Sequence, residues 1–195
     1  MKKYLVLFFL LIFFRGALIA QPDMEKKWAI GLLSGLYFMQ DEVFQEAYGK
    51  SALFLGAEIP FHLFPKSLKN MSGAFNFRYL NDKGKTSLTE EEIKLNLIYF
   101  SFTLRYTIDS NKFLPFFGLG MDYVLYKENY PETIPVESMS GSTLGFHAQV
   151  GSYYRLSSFL SALVYLKYNI AKAVEEDVKV NLGGAEWGMG LIYYF

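Results

Sequence analysis

The 195-residue sequence has no cysteine, two histidines, two tryptophans and six prolines. Without cysteine there are no disulfides, no thiolate nucleophiles and no cysteine metal sites. His62 and His147 stand alone, in no HExxH-type spacing, and no glycine-rich phosphate loop is present. No metal site and no cofactor are expected. An excess of charge is missing as well, since 19 basic residues balance 19 acidic ones. With no basic surplus, nucleic acid is not an expected partner. Beyond residue 20, no stretch reaches the ~18 uninterrupted apolar residues that a membrane helix needs. Aromatic residues, in contrast, make up 18% of the chain and are spread along all of it.

The start is a separate object. Lys2 and Lys3 precede "YLVLFFLLIFF", and "RGALIA" leads to Gln21. A basic start, a short apolar core and small residues before a polar one describe a secretory signal peptide over residues 1–20. Leu18 and Ala20 occupy its −3 and −1 positions, and the apolar run is too short to span as a helix. Residues 21–195 then form a single domain. Without Lys2, Lys3 and Arg15, 16 basic and 19 acidic residues leave it a net charge of −3.

Alternation with period two runs through this domain. Trp28, Ile30, Leu32, Leu36 and Phe38 oppose Ala29, Gly31, Leu33 and Gly35. Leu53, Leu55, Ile59 and Phe61 oppose Phe54, Gly56, Glu58 and His62. Phe75, Phe77 and Tyr79 oppose Asn76 and Arg78, and Phe100, Phe102 and Leu104 oppose Ser101, Thr103 and Arg105. Four later segments repeat the pattern, placing Asp122, His147, Lys167 and Glu186 on the less apolar face. Strands are expected near residues 27–39, 51–63, 72–81, 93–108, 114–127, 141–155, 158–171 and 179–195. In the fourth, Leu95 and Leu97 share the parity of Ser101 and Arg105, so a bulge is expected near Asn96.

Most of these segments exceed the ~5–6 residues usual for soluble strands and suit the ~9–11 of a tilted membrane strand. Their connections alternate long ("QDEVFQEAYGK", "NDKGKTSLTEEE", "KENYPETIPVESMS", "KAVEEDVK") and short ("FPKSLKN", "DSNK", "LSS"). Even strand number, short turns at one end and long loops at the other describe a transmembrane barrel. The expectation is all-β: an eight-stranded antiparallel up-and-down barrel, monomeric, in a bacterial outer membrane. Its partners would be outer-membrane lipid and lipopolysaccharide. A closed barrel also explains the ending "GMGLIYYF", because its last strand has no free edge.

Gly190, Tyr193 and Phe195 resemble the C-terminal insertion signal read by the outer-membrane assembly machinery, although Gly188 stands where that pattern prefers a polar residue. "LIYFSFTLRYTIDSNKFLPFFGLGMDY" resembles the central hairpin of the small outer-membrane β-barrel family, the OmpA/OmpX/OmpW-like and porin-family proteins. That family has no common activity to carry over. Some of its barrels deacylate lipid A with a serine, a histidine and a glutamate, but "HAQ" at His147 lacks their H-x-S pattern, so no enzyme is expected. A second reading is passage of a small apolar compound through a lateral opening, as the OmpW-like relatives suggest.

Two groups of side chains stand out. An eight-stranded barrel is only wide enough for its own side chains, so inward charges must pair. Folding each hairpin about its connection places Glu58 opposite Arg78, Asp122 opposite His147 and Lys167 opposite Glu186, with Tyr99 between Arg78 and Asp122. With Arg105 on the same parity, these residues are expected to form one charged belt that closes the lumen. Lys94, Lys127 and Lys179 point outward near the long loops, where lipopolysaccharide phosphates would lie. Circular dichroism in detergent should be β-type and migration on gels heat-modifiable; a mainly helical spectrum would contradict the barrel.

Overall fold

The alternating segments become the staves of one antiparallel sheet. The computed structural model describes residues 28–61, 70–85, 91–131, 138–175 and 178–195. The expected signal peptide and His62 lie outside the described residues. In chain order the elements are β1 (Ala29–Met39), α1 (Glu42–Tyr48), β2 (Ser51–Phe61), β3 (Met71–Lys85), β4 (Glu92–Thr107) and β5 (Phe113–Asn129). They continue as β6 (Met139–Arg155), β7 (Leu160–Glu175), β8 (Val178–Asn181) and β9 (Gly184–Tyr194). Consecutive strands from β1 to β7 pair antiparallel, and β9 pairs with both β7 and β1, so the sheet closes. The short β8 pairs with β7 above β9 and completes the same stave. The fold is an eight-stranded up-and-down barrel.

The wall separates two environments residue by residue. Leu32, Leu53, Phe75, Leu119, Phe146 and Leu166 face outward and exposed, while their strand neighbours are buried inside. On β1 the outward apolar run extends from Trp28 to Phe38, which at ~3.3 Å per residue and a tilt of ~40° spans about 25 Å, the height of a lipid-facing band. Trp28, Tyr106, Phe113, Tyr154, Tyr193 and Phe195 are exposed toward the short-turn end, the position of an aromatic girdle.

The strands run further than the sequence pattern predicts. β3 continues to Lys85, β5 to Asn129 and β7 to Glu175, while β6 begins at Met139. Parts of three expected long loops are therefore paired strand. Above the lipid level the outward positions turn polar (Asn81, Lys83, Lys94, Asn96, Lys127, Lys172), which hides the strands from a search for greasy alternation. The bulge expected near Asn96 is absent. The β4 register with β3 and β5 is unbroken through Leu95 and Leu97, which point inward with Tyr99 and Arg105. These leucines belong inside because the long-loop end of the lumen is apolar, built from Leu80, Ile93, Leu95, Leu97, Val124 and Leu182.

The helix α1 lies in the first long connection. Asp41 begins it, its carbonyl accepting from Gln45 N at 3.0 Å. Gly49 ends it at φ +88°, a left-handed conformation that glycine adopts without strain, and donates to Gln45 O at 2.9 Å. Seven residues cannot hold a helix alone. Phe44, Ala47 and Tyr48 pack on the apolar cluster, and Gln45 Nε2 donates to Met39 O at 2.7 Å.

Between β8 and β9, Leu182 and Gly183 break the ladder of the eighth stave. The groups freed there are taken up inside the barrel, because buried backbone polar groups must find partners. Tyr37 and Tyr99 hydroxyls both donate to Leu182 O, at 2.7 and 3.0 Å. Gly184 N donates to Asn169 Oδ1 at 2.8 Å, and Leu182 N to Ala171 O at 2.8 Å. Tyr37 from the adjacent β1 and Tyr99 from β4, across the lumen, thus brace the broken stave. Tyr37→Phe and Tyr99→Phe, made singly, should each lower stability by about 1 kcal/mol, since the other hydroxyl stays on the carbonyl. The double variant should lose more than their sum. Urea unfolding of the refolded barrel measures this; strict additivity would mean that the hydroxyls do not share the carbonyl.

Candidate functional site: the charged interior

Inward charge in so narrow a barrel needs space as well as partners, and glycines on the neighbouring strands provide the space. Gly31 stands directly across from Glu58, Gly56 from Arg78, Gly118 from Arg105, Gly145 from Asp122 and Gly120 from His147. A Cβ at Gly120 would come within 2.5 Å of the His147 ring. Each long side chain can therefore lie over a bare stretch of wall and reach into the lumen.

The charges gather in two clusters rather than one belt. Toward the short-turn end, Arg105 and Glu58 pair through two contacts, Nη1–Oε1 at 2.5 Å and Nη2–Oε2 at 2.6 Å. Tyr153 OH accepts from Arg105 Nη1 at 2.5 Å and donates to Glu58 at 3.2 Å. The guanidinium lies 4.9 Å from the Phe116 ring centre, an arrangement in which the ring face attracts the cation.

The second cluster sits one level higher. Arg78 bridges Glu186, through a very short contact, and Asp122 at 3.2 Å, and also donates to Ser101 at 2.9 Å. Its guanidinium lies 4.7 Å from the Tyr99 ring centre. Lys167 Nζ donates to Asp122 at 2.9 Å and to Ser101 at 3.2 Å. Tyr165 OH donates to Glu186 at 2.5 Å. Across the two clusters, three basic side chains (Arg78, Arg105, Lys167) face three acidic ones (Glu58, Asp122, Glu186), all buried.

The structure keeps most of the expected residues and changes their pairing. Glu58 does not pair with Arg78. It stands across from Asn76, two residues away, and its cation is Arg105 on β4. Asp122 stands across from Gly145 rather than His147, yet the two side chains still meet at 3.0 Å. Lys167 is directly across from Glu186, as expected, but its Nζ bonds to Asp122. Tyr99 lies across from Arg78 and, on its other side, from Val124 rather than Asp122. Hairpin arithmetic finds neighbours along the wall, whereas Glu58–Arg105, Arg78–Asp122, Arg78–Glu186 and Lys167–Asp122 join strands that are not adjacent. Tyr153 and Tyr165 are not among the expected residues, and Ser101, expected to face inward, is given no partner there; the signal for all three is inward parity beside the charged positions.

His147 sits between two polar groups. Its Nδ1 meets Asp122 Oδ2 at 3.0 Å and its Nε2 meets Thr103 Oγ1 at 2.9 Å. Hydroxyl, imidazole and carboxylate in line are the parts of an activated nucleophile. Here Thr103 and Asp122 are both 0% exposed, so no substrate carbonyl can approach the hydroxyl, and Lys167 and Arg78 already share the carboxylate.

On the outer surface, Lys94 and Lys127 point outward as expected; Lys179 lies on β8, and its side chain is outside the described residues. At the C-terminus Tyr193 and Phe195 face outward, their ring centres 6.5 Å apart, and Gly190 stands across from Leu33.

The two clusters should respond differently to substitution. Arg105→Met strands the buried Glu58 carboxylate and should cost about 3–5 kcal/mol, with most of the loss recovered by adding Glu58→Gln. Arg78→Met should cost a similar amount, but Glu186→Gln should recover less of it, because Asp122 also loses a cation. Equal rescue in both unfolding experiments would contradict the division into clusters.

The family model for the outer membrane protein beta-barrel domain matches residues 16–195. No individual protein of curated function matches the chain in sequence. Among solved structures, the outer membrane protein OprG from Pseudomonas aeruginosa is similar at 13% identity, covering 91% of this chain and 99% of that one, with a TM-score of 0.69. Neisserial surface protein A is similar at 10% identity over 86% and 96% of the two chains, with a TM-score of 0.61. The Escherichia coli outer membrane protein W is similar at 13% identity over 87% and 98%, with a TM-score of 0.56. At such identities the likeness is one of fold, and a fold does not name an activity. With the match running over nearly the whole chain and the closed membrane barrel in agreement with it, the chain belongs to the outer membrane protein β-barrel domain family.

Proposed function

We propose that the protein is a closed, non-catalytic barrel of the outer membrane that serves a structural or surface-interaction role through its long-loop end. The observation that carries this reading is the balanced charge network across the lumen. Every carboxylate among Glu58, Asp122 and Glu186 has a buried cation within bonding distance. A permeating ion would have to break contacts whose loss leaves a charge unpaired at low dielectric. Above the network, the tyrosine brace and the apolar layer under α1 add two further barriers. In this reading the leader of residues 1–20 is cleaved after export, Gly190, Tyr193 and Phe195 present the chain to the assembly machinery, and the barrel stays monomeric.

The apolar outer end of the interior favours a second reading, entry of a small apolar compound from the long-loop side. Tyr48 on α1 would then be the latch. Its hydroxyl donates to Glu128, which also accepts from Tyr130 at 2.8 Å. Burial pushes the Tyr48 phenol well above its usual range, and the Glu128 carboxylate pushes it the same way, so it stays a donor at any physiological pH.

Planar-bilayer recording separates these readings from a channel. The wild-type barrel should give no stable conductance steps, and Arg78→Ala with Glu186→Ala should introduce them. Steady ion conductance in the wild type would overturn the closed lumen. An apolar fluorescent probe that binds wild type, and binds Tyr48→Phe more readily, would favour the second reading.

A further inference from the structure

The outer face of β3, β4 and β5 carries a patch that the closed lumen does not use. Lys83 stands directly across from Lys94, and Lys127 directly across from Asn96, so Lys94 and Lys127 are diagonal neighbours. All three lysines are outward and exposed. Like charges directly opposite on a sheet face are destabilising unless an anion lies between them. Glu92 meets part of that need, 3.0 Å from Lys83 Nζ and 3.8 Å from Lys94 Nζ. Lys127 has no carboxylate partner among the described residues.

The remaining polar groups complete an anion site. Asn96 Oδ1 accepts from Tyr79 OH at 2.9 Å and from Asn81 Nδ2 at 2.7 Å. That fixes the amide and leaves Asn96 Nδ2 as a donor between Lys94 and Lys127. Two of the acids at this height, Asp82 and Glu128, take inward parity, which leaves Glu92 to share the outer face with the lysines. Directly below, Tyr79, Ile98, Tyr123 and Leu125 begin the apolar belt. Cations and an amide donor at the rim, with aromatic and branched side chains beneath, complement a headgroup that carries phosphate above acyl chains.

We propose that Lys83, Lys94, Lys127 and Asn96 form a docking surface for lipopolysaccharide, in which its phosphates meet the three ammonium groups and the Asn96 amide. The acyl chains lie along Tyr79, Ile98, Tyr123 and Leu125. The site is local to β3–β5; Lys179 belongs to the opposite stave. Lys172 on β7 is an outward lysine outside the patch and serves as the control.

Binding of purified lipopolysaccharide to the full barrel in detergent micelles, followed by native mass spectrometry, tests the proposal. Lys83→Gln, Lys94→Gln and Lys127→Gln together should weaken binding about tenfold or more, and Lys127→Gln alone by about fivefold. Lys172→Gln should leave it unchanged, and heat-modifiable migration verifies that each variant is folded. Dephosphorylated lipopolysaccharide should bind wild type as weakly as the intact lipid binds the triple variant, and phosphatidylglycerol should bind more weakly than lipopolysaccharide. Unchanged binding by Lys127→Gln, an equal loss with Lys172→Gln, or phosphatidylglycerol binding as tightly and with the same lysine dependence would each overturn it.

Discussion

Eight strands close around a space no wider than the side chains that line it, and no charge inside it can be left without a partner. The remaining interior follows from that constraint. Arg78 and Arg105 reach across the lumen because Gly56 and Gly118 leave the wall beside them bare. Glycine content, so often read as looseness, here sets where the bulky polar groups can lie. The apolar outward face of each strand meets lipid, so the polar groups have only one direction to take.

The interior is layered along the barrel axis as a result. Glu58 and Arg105 form the lowest layer, and Arg78, Asp122, Lys167 and Glu186 the next. The hydroxyls of Tyr37 and Tyr99 meet at 3.1 Å above them, and leucines and α1 close the top. The tyrosines link two otherwise separate features, since one face of Tyr99 carries the Arg78 cation while its hydroxyl holds the Leu182 carbonyl. Disturbing the charged layer should therefore be felt at the broken stave, through a single ring.

Much of this was legible in the amino-acid sequence, because membrane strands separate apolar from other residues with period two. Parity alone put Glu58, Arg78, Asp122, His147, Lys167 and Glu186 inside. It could not pair them: a side chain as long as arginine spans several strands, and the partner of Arg78 on β9 is 108 residues away. Connection midpoints failed by a single residue at Glu58 and at Asp122, enough to shift each pairing by two. The outer ends of β3, β5 and β7, residues 82–85, 128–129 and 172–175, lie beyond the expected strands because above the lipid the outward positions turn polar. The helix at Glu42–Tyr48 had its signals in place, Asp41 before it and Gly49 after it, but seven residues among loop-like neighbours give little periodicity to detect.

The account rests on which cation holds which carboxylate. Solid-state NMR on the barrel in lipid, with labelled arginine nitrogens and labelled carboxylate carbons, measures those contacts through dipolar couplings. The account predicts strong couplings from Arg105 to Glu58 and from Arg78 to both Asp122 and Glu186, with none between Arg78 and Glu58. A strong Arg78–Glu58 coupling, or guanidinium groups coupled to no carboxylate, would contradict it.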